Sequence, residues 1–106
     1  MIKDMTLKEF EGIKNEGVVI VDFYTEWCGD CKMMQPVYEN LANEFKDKPV
    51  TFASVDAEKA EVFQKAEGYS VTKVPTFIVF KDGKEVARGV EYQPMDKMIG
   101  WLNDAL

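Results

Sequence analysis

Histidine is absent from this chain of 106 residues, and cysteine occurs only twice. A self-contained zinc site of the Cys/His kind needs four ligands, so two thiols without histidine leave it half built. Positive charge is scarce as well: 13 Lys and Arg stand against 19 Asp and Glu, for a net charge of -6. The clustered Lys and Arg of a nucleic-acid footprint are therefore missing, and the acidity reads as a solubilising surface. The apolar runs are far too short to span a bilayer, and Met1-Ile2-Lys3-Asp4-Met5 lacks the apolar stretch of a secretion signal. No Gly/Ser-rich or Pro-rich stretch marks a linker, and no repeat or low-complexity segment occurs. A single domain over residues 1–106 is expected, with 46% hydrophobic residues to fill one core.

What the chain does have is a concentration of chemistry at one place. Both cysteines lie in Trp27-Cys28-Gly29-Asp30-Cys31, directly after the apolar run Val18-Val19-Ile20-Val21-Asp22-Phe23-Tyr24. A C-x-x-C beside a strand–helix pattern reads as a redox dithiol. The order strand, polar turn, cysteine, helix puts the first thiol where the unpaired N–H groups of a helix start point, which favours the reactive thiolate. With no secretion signal and no other cysteine, a dithiol that cycles in a reducing cytoplasm is expected rather than a structural disulfide.

Strands and helices alternate along the rest of the chain. Ile2 to Asp4 reads as a short strand. Thr6-Leu7-Lys8-Glu9 has capping-box spacing before a helix that carries Leu7, Phe10 and Ile13 up to Gly17. Val18 to Tyr24 is apolar enough to be a central strand buried on both faces. A long helix follows the cysteines to about Lys46, with Met33, Met34, Val37, Leu41 and Phe45 as its inner stripe and a kink expected at Pro36. Val50 to Val55 reads as a strand. Ala57 to Glu67 reads as a helix with Ala60, Phe63 and Ala66 on one side, stopping at Gly68. Thr76 to Phe80 and Lys84 to Val90 form a hairpin about Lys81-Asp82-Gly83, and Pro94 opens a last helix with Met98, Trp101 and Leu102 inward. The sum is an α/β sandwich with a mixed sheet, whose chemistry gathers at the carboxyl ends of central strands.

Val21-Asp22-Phe23, Glu26-Trp27-Cys28-Gly29-x-Cys31-Lys32, Pro36, Val55-Asp56, Val74-Pro75-Thr76-Phe77 and Lys81-Asp82-Gly83, in this order and spacing, make the chain resemble the thioredoxin family over essentially its whole length. The resemblance implies a βαβαβαββα fold, a central mixed sheet flanked by four helices. It implies that Cys28, exposed at a helix start, attacks a target disulfide, and that the less exposed Cys31 resolves the mixed disulfide. Asp22 would take the proton of Cys31, and Trp27, Val74, Pro75 and Thr76 would hold substrate beside a cis Val74–Pro75 bond. No bound cofactor is implied. Electrons would come from NADPH through a separate thioredoxin reductase, and the partners would be that reductase and disulfide-containing target proteins, met by a cytoplasmic monomer with no nucleic-acid or membrane role.

Four departures from the family pattern stand out. Asp30 replaces the usual proline, adding an N–H that could reach the Cys28 sulfur and a carboxylate that repels it; the donor is expected to win, giving a slightly more oxidising couple. No lysine occurs in Thr51-Phe52-Ala53-Ser54 to pair with Asp22, so this acid should be strongly perturbed. Glu91-Tyr92 replaces a small glycine-led pair, and with Glu26 and Asp30 it would make the groove rim acidic and suited to a substrate with positive charge near its disulfide. Tyr24 stands where many relatives place a second Trp, and it should pack at its strand end. Met33, Met34 and Met98 read as core filler, and Lys32 and Lys73 as solvated lysines near the thiols. The resulting function is a protein-disulfide reductase with Gly29 and Asp30 tuning its potential. A disulfide oxidase or isomerase, and an interaction subunit with incidental thiols, are the alternatives.

Overall fold

Seven residues in a row, Val18 to Tyr24, are β-branched, aromatic or aliphatic apart from Asp22, and only a strand covered on both faces satisfies them all. In the computed structural model, which describes residues 2–62 and 69–106, they form β2 at the centre of the sheet. The elements in chain order are β1 (Ile2–Met5), α1 (Leu7–Ile13), β2 (Val18–Tyr24), α2 (Gly29–Glu44), β3 (Val50–Asp56), β4 (Thr76–Lys81), β5 (Lys84–Val90) and α3 (Met95–Ala105). The five strands pair in the order β1-β3-β2-β4-β5. β1, β3 and β2 run parallel, and β4 and β5 are antiparallel to their neighbours, so the sheet is mixed.

Strand alternation divides the core in two. Val19, Val21 and Phe23 of β2 point with Ala53, Val55, Ile78 and Phe80 towards Phe10 of α1. Val18 and Ile20 point the other way, with Phe52, Phe77 and Val79, towards α2 and α3. By the same two-residue period Asp22 falls on the α2 face. Thr6 and Glu9 close the capping box that starts α1, with Thr6 N–H donating to Glu9 at 2.9 Å and Glu9 N–H to Thr6 at 3.1 Å. The β4–β5 hairpin turns on Asp82 and Gly83, both at positive φ (51° and 86°), the handedness that matches the twist of the strands.

Among the described residues there are three helices, not the four expected: α1 covers one face, and α2 and α3 the other. The missing one is the helix expected over Ala57 to Glu67. Asp56 caps a single turn there, accepting from the N–H of Glu58 at 3.0 Å and of Lys59 at 3.1 Å. The turn then closes on itself: Glu61 N–H reaches Glu58 O and Val62 N–H reaches Ala57 O, both at 3.1 Å, with Glu61 at φ 56°. Paired 5→2 and 6→1 bonds around a left-handed residue form a Schellman stop, usually made by glycine. Glutamate in that conformation leaves no periodic signal in the sequence. The remainder of the expected helix, Phe63 and Ala66 included, lies outside the described residues, as does its stop at Gly68.

Two positions on α2 also differ from expectation. Met33 is 66% exposed rather than part of the inner stripe. Tyr38 takes the inward place instead, and its hydroxyl donates to Ile20 O at 3.1 Å and Ala53 O at 2.7 Å, which ties α2 to β2 and β3.

Candidate active site

β2 ends at Tyr24, and Thr25, Glu26 and Trp27 carry the chain to Cys28, the N-cap of α2. Cys28 has the extended backbone of a cap (φ -84°, ψ 117°), and its sulfur accepts the N–H of Cys31 at 3.1 Å. The thiol in turn donates towards Val74 O at 3.5 Å, in the segment that leads into β4. This inward turn overrides the expected exposure of Cys28: both cysteines are 7% exposed, and both are free thiols. The backbone donor that reaches the sulfur is Cys31 N–H rather than the Asp30 N–H expected from the sequence. Asp30 sits exposed in the first turn of α2, where its carboxylate complements the helix dipole.

The first turn of α2 separates two recesses that share no lining residue. On one side lies an open groove of about 680 Å³, lined by Trp27, Cys28, Gly29, Asp30, Val74 and Glu91 among others. The Val74–Pro75 bond is cis. Pro75 O accepts the N–H of Glu91 at 2.6 Å, and buried Thr76 donates from its hydroxyl to Lys73 O at 2.6 Å. Trp27 is 66% exposed, and its indole N–H is held by Glu58 at 2.7 Å. Tyr92 is exposed at the same end of the molecule as Glu91. The acids of this rim are largely matched: Lys73 lies 3.5 Å from Glu91, and Lys59 lies 3.6 Å from Glu26. Of the acidic rim expected from Glu26, Asp30 and Glu91, Glu26 lies on the lining of the other recess beside Lys59, Glu91 pairs with Lys73, and Asp30 stays exposed, with Glu58 added on Trp27. Glu91 takes φ 68°, a backbone region that favours glycine.

On the other side lies a well of about 480 Å³ whose lining includes Asp22, Thr25, Cys31, Lys32 and Tyr38. Asp22 is 7% exposed, and its Oδ1 has no hydrogen-bond partner from the protein. Burial alone pushes its carboxyl from an ordinary 3.8 up to about 7. Burial first, then the hydrogen bond with Cys28, pushes the Cys31 thiol up to about 12. The well therefore holds a thiol and a carboxyl, both of which burial pushes towards their neutral forms.

The thioredoxin family model matches residues 2–104. The chain belongs to the thioredoxin family. Among curated relatives it is 42% identical to the thioredoxin of Chlamydia trachomatis over 99 residues, covering 93% of each chain. It is 38% identical to a Staphylococcus aureus thioredoxin, covering 99% of this chain and 98% of the other. A solved structure of Plasmodium falciparum thioredoxin superposes with a TM-score of 0.77 at 32% identity, covering 96% of both chains. Family membership, the fold and the Cys28–Cys31 pair together make this a thiol–disulfide oxidoreductase. No helix among the described residues is long and apolar enough to cross a membrane.

The sequence pattern singled out Asp22, Trp27, Cys28, Gly29, Asp30, Cys31, Val74, Pro75, Thr76, Glu91 and Tyr92, and most of these line one of the two recesses. It missed Thr25, Tyr38 and Glu58. Tyr38 follows Cys31 by seven residues and Met34 by four, so helical spacing alone marks it as facing the same way. Glu58 lies in the one-turn cap after β3, where no periodicity could announce it.

Proposed function

We propose that the chain is a protein-disulfide reductase in which Cys28 is the nucleophile, Cys31 the resolving thiol and Asp22 the proton acceptor. The arrangement that carries this reading is the division of labour across α2, with Cys28 in the groove and Cys31 beside Asp22 in the well. The Cys28 thiolate attacks one sulfur of a target disulfide, the S–S bond breaks, and the departing target sulfur takes a proton from solvent. Cys31 then gives its proton to the Asp22 carboxylate and attacks Cys28, expelling the second target sulfur as a thiolate. Both electrons pass to the target, and the Cys28–Cys31 disulfide remains. Once Cys28 is bonded to the target, its hydrogen bond and charge no longer hold the Cys31 proton, which lowers the barrier to this second step.

The groove suits an extended segment laid between Trp27 and Val74 beside Cys28. The resemblance supplies the rest: re-reduction by a thioredoxin reductase drawing on NADPH, in the cytoplasm. A Cys31→Ser variant incubated with a disulfide-containing protein is expected to accumulate a covalent adduct through Cys28, visible by mass spectrometry and released by dithiothreitol. The wild-type couple should equilibrate with glutathione in the thioredoxin range, roughly −270 to −230 mV. No adduct would turn the assignment towards an interaction subunit with incidental thiols, and a potential above about −200 mV towards an oxidase or isomerase.

A further inference from the structure

Trp27 stands immediately before the nucleophile of the proposed exchange and is the largest side chain lining the groove. It is also 66% exposed, so packing holds little of the ring. A side chain in that state samples several staggered rotamers, and each sets the ring at a different angle to the groove. What fixes it is a polar contact: the indole N–H donates to Glu58 Oε2 at 2.7 Å, the length of a charge-assisted bond. Glu58 does not itself line the groove. It is held in turn from several sides. Ala57 N–H donates to Tyr24 O at 2.7 Å, which pins the turn after β3 to the last residue of β2, where the active-site loop begins. Asp56 accepts the N–H of Glu58 at 3.0 Å. Glu58 O accepts the N–H of Glu61, and Val62 beyond it is buried in the core on the α1 side. Glutamate at φ 56° is a conformation with a cost, kept where it closes the turn that carries Glu58. Lys59 lies 3.6 Å from Glu26, so two successive residues of the turn meet two of the loop. That ion pair is exposed on both sides and adds little energy, which leaves the indole bond as the one that matters.

We propose that Glu58 is a positioning residue for target binding: its carboxylate holds the Trp27 indole as a preset wall of the groove, so that an extended target segment docks without having to order the ring. The inference rests on the reductase reading above and extends the site to a residue that does not touch target. Immobilising a side chain on binding costs association free energy, and a wall already fixed avoids that cost. The turn after β3, distant in the chain from the dithiol, thereby sets how well the groove grips. Because the contact is a hydrogen bond to a carboxylate oxygen, glutamine, with an amide oxygen at the same reach, can take its place, and alanine cannot.

The test compares Glu58→Ala and Glu58→Gln with the wild type, each as the reduced full-length chain, in the reduction of two probes. One is a short linear peptide whose cysteine is capped by β-mercaptoethanol as a disulfide. The other is hydroxyethyl disulfide, which has no peptide segment to lay along Trp27. In Glu58→Ala the rate constant for the peptide should fall about three- to tenfold relative to that for hydroxyethyl disulfide, the loss that ordering one side chain entails. In Glu58→Gln the ratio should return to within about twofold of wild type, since the acceptor is restored. The chain has two tryptophans, so NMR resolves the Trp27 indole: its nitrogen relaxation should show added fast motion in Glu58→Ala and none in Glu58→Gln. An unchanged ratio in Glu58→Ala, whether or not both rates fall, overturns the proposal. So does an equal loss in the two variants, or an indole as rigid in Glu58→Ala as in the wild type. Wild-type protein that reduces neither probe refutes the reductase reading instead, and the indole signal then still decides whether Glu58 holds Trp27.

Discussion

Asp22→Asn is expected to stabilise the protein at alkaline pH and to do so by an amount that grows with pH. The carboxyl titrates at about 7 in the folded chain and at about 3.8 when unfolded, because burial disfavours its charge. Between these values the folded state holds a proton that the unfolded state has lost, so stability falls as pH rises through that window. Below the lower value the acid is neutral in both states and imposes nothing; above the upper value the full penalty is present. The interval is roughly three pH units at about 1.4 kcal/mol each, or about 4 kcal/mol. Asparagine keeps the shape without the charge, so its own packing and hydrogen-bond cost is constant with pH and cancels from the difference. The assay is urea unfolding of both reduced proteins at intervals from pH 3.5 to 8, below the range in which Cys31 ionises. The gap between the variant and wild-type stabilities should widen by about 4 kcal/mol from the acid end to the alkaline end. Parallel stability–pH curves would mean that Asp22 is solvated in the folded chain, and the account of the well would fail with it.

Three further outcomes follow from the geometry. Asp30→Asn should raise the reduction potential by about 5 to 10 mV, since an exposed charge near the sulfur is worth only a few tenths of a kcal/mol; an unchanged or lower potential in glutathione equilibration contradicts this. Gly89→Ala places a Cβ 2.5 Å from both Gln93 Cδ and Trp101 Cη2, and the overpacking should cost about 1–3 kcal/mol in chemical denaturation. Tyr38→Phe leaves Ile20 O and Ala53 O without its hydroxyl and should cost about 1–3 kcal/mol, with faster amide exchange along β2 and β3 if Tyr38 anchors α2 to them.

The sheet was readable in the sequence because its residues are constrained twice, by burial and by alternation. Val18 to Tyr24 announces a central strand, and Asp-Gly between two apolar runs announces the hairpin whose positive φ values the structure displays. The C-x-x-C pattern marked the thiols because few arrangements of two cysteines have such a narrow meaning. What escaped notice depends on contacts distant in sequence or on uncommon backbone. Ala57 to Val62 has helical composition, but Glu61 in a left-handed conformation ends the turn at once. Met33 was expected in the inner stripe and is exposed, while Tyr38, which the pattern passed over, lies inward, since apolar character at α2 does not tell which of two neighbouring faces meets the sheet. The Asp30 N–H was expected at the Cys28 sulfur, yet helix geometry gives that place to Cys31, two positions beyond the first helical residue. The rim looked acidic because sequence counts charges singly, whereas Lys59 and Lys73 meet Glu26 and Glu91 in space.

A single helical turn with a recess on either side gives this molecule two doors. On the proposed mechanism electrons cross at Cys28, through the door that a docked target would cover. The proton of the second step then goes to Asp22, behind the other door, whose lining shares no residue with the groove. A protein clamped firmly on the dithiol therefore does not seal in the acid that its own release generates. Tightness of grip and speed of letting go, which ordinarily oppose each other at one binding face, are here assigned to opposite sides of α2.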